Sequence, residues 1–246
     1  MLSVFKKEIR SFLSSLIAYV VIVVFLLIIG LFTWVFADGN VLIQGYANLD
    51  ILFFMAPWVF TFLISAITMR SFSEELKQGT FEILSTKPIT DIQIILGKFL
   101  ASVVLVLFAL LPTSVYVYSI YELWLPEGNL DMGATIGSYI GLILLGSSYV
   151  SIGLFSSVIT PNQIVAFILG LFLCFFFYVG FQQLSNLSLF GTYDSMVQDL
   201  GIQMHYDSIS RGVVDSRDLS YFISLIFIFL SFTYIALRNK KLLVKG

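Results

Sequence analysis

Charge is scarce in this chain: Asp, Glu, Lys and Arg make up 11% of its 246 residues, against roughly a quarter in a soluble domain. One cysteine, Cys174, excludes an intrachain disulfide. The single histidine, His205, has no Cys or second His at metal-ligand spacing; it reads as an exposed loop residue, and no metal site is expected. No phosphate-binding G-x-x-x-x-G-K-[ST] loop occurs. The only Gly-Lys pair, Gly97-Lys98, has Ile92 where the first Gly would stand and Phe99 where the Mg²⁺-binding hydroxyl would stand. The chain is therefore expected to be no enzyme and to bind no cofactor. Its long apolar runs contain no Asp, Glu, Lys, Arg or His. That removes the acid–base pairs of an intramembrane protease and the mid-membrane charge of a proton- or sodium-coupled carrier. Glu74-Glu75 looks like the start of a di-glutamate protease motif, but the Arg and helical His residues of that motif do not follow.

Apolar side chains are what the chain has instead. Hydrophobic residues account for 59% and mean hydropathy is +0.98, so most of the chain faces hydrocarbon. A hydrocarbon layer of ~30 Å takes about 20 helical residues, and six stretches reach or approach that length: 16–37, 51–69, 99–121, 134–159, 164–181 and 219–237. The expected fold is all-α, a polytopic six-helix membrane protein forming one domain over 1–246. Thr160, Pro161, Asn162 and Gln163 alone separate the fourth and fifth runs and read as a tight hairpin, because Pro ends a helix. One broken span there would invert everything after it.

Basic residues orient the bundle. With the N-terminus inside, eleven of the thirteen Lys and Arg fall on the cytoplasmic side and only Arg211 and Arg217 outside, while ten of the fifteen acids lie outside. Both termini are thus expected inside. The first run follows basic residues as a signal peptide would, but it has the length of a full span and ends Val35-Phe36-Ala37 without small residues at both cleavage positions, so it reads as a retained helix. Ahead of it, residues 1–15 place Phe5, Ile9, Phe12 and Leu13 on one side and Lys6, Lys7 and Arg10 mostly on the other, as in an interfacial helix; a frayed basic tail is the alternative. In the long outer loop, 182–218, Met196, Val197, Leu200 and Met204 recur at helical spacing and predict a short amphipathic helix.

The charged segment 70–98 between the second and third runs is the most informative. On a helix, Phe72, Leu76, Ile83 and Leu84 share one face and Glu74, Gln78 and Glu82 another. Gly79 interrupts it, Thr80 caps the next turn, Pro88 ends it, and Thr90 with Gln93 has the capping-box pattern for the helix that follows. Spacing alone fits a docking segment and an ordinary solvated loop equally.

The run EELKQGTFEILSTKPI, Glu74 to Ile89, continuing to LGK at Leu96 to Lys98, resembles the segment between the second and third helices of ABC-2 type transporter permeases. The stretch HYDSISRGVVDSRDLSYF, His205 to Phe222, is similar to the corresponding part of gliding-motility-associated ABC permease subunits of the Bacteroidota, with Ser210, Arg211, Gly212 and Asp215 as the shared motif. The resemblance implies a type V exporter-like permease bundle in a bacterial inner membrane. It also implies that a separate ABC ATPase dimer holds the ATP and Mg, and that a second permease subunit, identical or different, completes the complex with membrane lipid around it. Nucleic acid has no part. Glu74, Glu75, Gln78, Gly79, Thr80, Glu82, Pro88, Gly97 and Lys98 would then couple the ATPase to the bundle. The other functions to weigh are a non-transporting anchor or force transducer of an envelope machine and an ion-coupled carrier.

Overall fold

The computed structural model describes residues 1–36, 41, 49–80, 89–123, 130–188, 191–212 and 215–245, and every regular element among them is helical. Five stretches are long and apolar enough to cross a membrane: 50–77, 91–123, 132–159, 163–186 and 216–241. A sixth candidate arises when α1 (Leu2–Leu13) and α2 (Leu16–Trp34), bent by 66° at the break between them, are taken together.

The second stretch is α3 (Asp50–Thr68) followed by a corner and the one-turn helix α4 (Ser73–Lys77). The third begins at α5 (Asp91–Leu110), where the Thr90 side chain accepts from the Gln93 N–H, passes a 3₁₀ turn at Leu111–Thr113 containing Pro112, and continues as α6 (Ser114–Leu123). Helix α5 thus starts well ahead of the apolar run at Phe99, and Lys98 lies inside it. Next come α7 (Met132–Ile159) and α8 (Gln163–Phe175), joined across Thr160–Asn162, where Asn162 caps α8 through the Ile164 N–H. Helix α8 runs through a π-helical segment, Phe176–Gly180, into α9 (Phe181–Asn186). The last span is α12 (Ser216–Lys245).

Helix α7 is the axis of the bundle and touches α3, α5, α8 and α12. Its sequence explains this. Gly and Ser dominate, so other helices approach closely. Gly146 lies against Val106 and Gly153 against Thr68. Several of its serines are satisfied within the helix, Ser148 donating to the Leu144 carbonyl and Ser156 to the Ile152 carbonyl, so these hydroxyls add no unpaired group to the apolar core.

Among the described residues, the segment 191–212 holds two short helices, α10 (Asp194–Gln198) and α11 (Ile202–Ser210), rather than one. The expected apolar stripe is not what packs: Met196, Leu200 and Met204 are exposed, while Ile202, Tyr206 and Ile209 are buried on α7.

Candidate functional site

Lys98 is the largest charged side chain in the buried interior, at 1% exposure. A lysine there must be paired, because an isolated ammonium out of water is prohibitively costly. Its Nζ lies 3.0 Å from Glu8 Oε1 and 3.0 Å from Glu75 Oε1, donates to the Ser71 carbonyl at 2.6 Å, and stands 5.0 Å over the Phe72 ring. Lys7 reaches the same two acids, at 2.8 Å from Glu75 and 3.6 Å from Glu8. Beside them Arg70 pairs with Glu74 at 3.0 Å and donates to the Ser15 hydroxyl at 3.3 Å. Three cations and three carboxylates therefore balance around a cavity of about 350 Å³ at the bundle's basic end.

Each element is positioned by local chemistry. Gly97 faces α1: a Cβ there would meet Val4 at 3.0 Å and the Met1 carbonyl at 3.3 Å. The glycine lets α1 lie on α5 closely enough for Glu8, one turn beyond Val4, to reach Lys98. The buried face of α1 is Val4 and Glu8, whereas of the apolar side read from sequence Leu13 is exposed, Phe5 and Ile9 are half-buried, and Phe12 is half-buried against the core. The corner is fixed from the other side by Ser157 of α7, which accepts from the Phe72 and Ser73 N–H groups at 2.8 and 3.1 Å and donates to the Met69 carbonyl at 3.2 Å. These are the N–H groups that a helix start leaves unsatisfied. Phe72 is fully buried.

The structure divides the predicted coupling residues into two sets. Glu75, Gly97 and Lys98 are internal and hold α1, the corner and α5 together. Gln78, Gly79 and Thr80 are exposed, with Glu74 half-buried between the sets. Gly79 has φ +67°, a left-handed conformation that favours glycine and ends α4. Glu82 and Pro88 lie outside the described residues. Sequence reasoning missed Lys7, Glu8, Arg70 and Ser157. The only signal was Glu8, the lone acid among the basic residues of α1.

At the opposite end, Ser210 and Gly212 of the motif meet α7, while Arg211 and Asp215 make local contacts. Ser138 donates to the Ser210 carbonyl at 3.0 Å, and Arg211 Nε to the Asp207 carbonyl at 3.2 Å. Gly212, at φ +85°, lies 3.0 Å by its would-be Cβ from the Ala134 backbone. Asp215 accepts from the Arg217 N–H at 2.9 Å, which holds its carboxyl below the usual range. His205 is not a loop residue: it lies on α11, with Nδ1 2.7 Å from Asp218 Oδ1, Nε2 2.9 Å from the Asp199 carbonyl, and its ring stacked on Tyr221. It pins α11 to α12. Among the described residues no cluster of three His, Cys, Asp or Glu side chains could hold a metal.

What the geometry provides is a set of charged contacts that ties α1, the corner and α5 together. A sequence profile described as ABC-2 family transporter protein matches residues 2–238, nearly the whole chain. Comparison with curated proteins finds no match. The chain belongs to the ABC-2 transporter family; it is the membrane component of an ABC transporter, and its partner is a separate ABC ATPase subunit.

Proposed function

We propose that this ABC-2 permease forms half of an ATP-driven exporter in a bacterial inner membrane, and that its ATPase dimer acts on the exposed turn Gln78, Gly79 and Thr80. Glu82 and Pro88 complete that contact. The internal ion cluster then carries the push into α1, α3 and α5 as one piece, tilting the bundle against a second permease subunit. Lys98 supports this reading more than any other single observation, because it joins three elements that would otherwise move separately. The charge distribution supports a cytoplasmic position for this end. The segment His205 to Phe222 supports a role in gliding motility. The chain's own residues bind, brace and transmit; ATP and Mg²⁺ supply their chemistry on the partner.

Co-purification with the ATPase tests this. Gly79→Arg is expected to weaken association or stimulated ATP turnover about tenfold, the equivalent of about 1.4 kcal/mol, and Lys98→Met to leave association intact while transport into sealed vesicles falls. Wild-type association and turnover in Gly79→Arg would reject the docking site. Full ATP turnover by a wild-type complex that moves no lipid, glycolipid or peptide cargo would favour a force transducer.

A further inference from the structure

Between α5 and α12 the bundle leaves a lateral groove of about 420 Å³. Ile92, Ile95 and Leu96 form one wall, and Phe227, Leu230 and Tyr234 much of the other. Ser231, also on that wall, spends its hydroxyl on the Phe227 carbonyl at 2.8 Å, so the groove offers apolar surface along its length. Its basic end meets the Lys241–Asp91 ion pair. Arg238 follows Tyr234 by four residues and Ile235 by three, which puts it on the groove face of α12, one turn nearer the basic end. It is exposed, and no described residue pairs with it. Lys240 is on a different side of the helix, where its Nζ donates to the Ile159 carbonyl at 3.0 Å.

These observations describe an apolar slot with a cation one helical turn beyond its lining residues. Asp91 is paired with Lys241, so among the described residues Arg238 is a positive charge without an acidic partner at the basic end of the slot. An acyl chain fits the slot, and a guanidinium is suited to bind a phosphate through two parallel N–H donors. We propose that the α5–α12 groove holds an anionic diacyl phospholipid, acyl chain along Ile92, Leu96 and Phe227 and headgroup phosphate on Arg238.

The full-length chain, reconstituted in bilayers of phosphatidylcholine and phosphatidylglycerol and extracted into mild detergent, can be weighed with its bound lipid by native mass spectrometry. Phosphatidylglycerol should be retained over phosphatidylcholine by about fivefold, the scale of one basic residue at a membrane surface. Arg238→Gln should abolish that preference and Arg238→Lys keep it, while Ile92→Trp, filling the groove from an exposed position, should reduce retention of both lipids. An Arg238→Gln protein with wild-type preference would overturn the proposal. So would undiminished retention by Ile92→Trp, or a purified wild-type chain that carries no lipid and instead buries this face against a second copy.

Discussion

At the basic end of the bundle, residues 68 to 90 positions apart meet through charge: Lys7 with Glu75 and Glu8 with Lys98. At the opposite end, distant segments meet through backbone and small side chains. Pro57 has no N–H to give the Phe53 carbonyl one turn back in α3, and Tyr206 of α11 donates to that carbonyl at 2.7 Å. A Cβ on Gly137 would lie 2.9 Å from the Ile209 carbonyl and 3.0 Å from Gly212 Cα. The two fastenings behave differently under load. Interdigitated backbone tolerates almost no displacement, whereas the ion cluster binds α1, the corner and α5 into one piece beside a cavity. Under the proposed function, the end opposite the ion cluster would stay fixed while the basic end moves as a unit.

Variants that break one end and spare the other sharpen this contrast. The largest effect is expected for Lys98→Met, which leaves Glu8 and Glu75 buried with only Lys7 between them. Such a loss costs about 3 kcal/mol, read as a lower melting midpoint in detergent, and adding Glu75→Gln should recover part of it. Next is Gly137→Val, which forces α11 off α7 for about 2 kcal/mol of overpacking; limited proteolysis should then cut first in the 191–212 segment. Tyr206→Phe keeps the ring and orphans the Phe53 carbonyl, at about 1 kcal/mol, measurable as faster amide exchange around Pro57. The smallest effect is expected for Lys241→Met, whose pair with Asp91 is partly exposed and contributes about 0.5 kcal/mol. A loss from Lys241→Met as large as that from Lys98→Met would erase the distinction between buried and peripheral charge.

Local signals in the sequence were enough to find the helices and several of their ends. Pro161 and Asn162 turn the chain between α7 and α8, Thr90 caps α5 through Gln93, and Gly79 stops α4. The ion cluster was not legible for the same reason that it matters. Glu8 and Lys98 are 90 residues apart, and nothing local to either states which acid meets which base. Periodicity marked the apolar stripe of α1, Phe5, Ile9, Phe12 and Leu13, but not the face that packs on α5, because charge pairing and the gap at Gly97 select Val4 and Glu8 for burial. The same competition decided α11. The exposed Met196, Leu200 and Met204 marked the stripe, but the small residues of α7 drew in Tyr206 and Ile209. His205 looked solitary because Asp218 and Tyr221, on the next helix, become its neighbours only when α11 folds back.

The most direct test follows the joint while it works. Spin labels at Ser11→Cys on α1 and Gln78→Cys at the corner, in the permease assembled with its ATPase, report the distance across the ion cluster by double electron–electron resonance. The account predicts the same narrow distance distribution with and without trapped ATP, and a broadened one in Lys98→Met accompanied by loss of transport. A wild-type complex in which that distance changes with ATP while transport continues would contradict it.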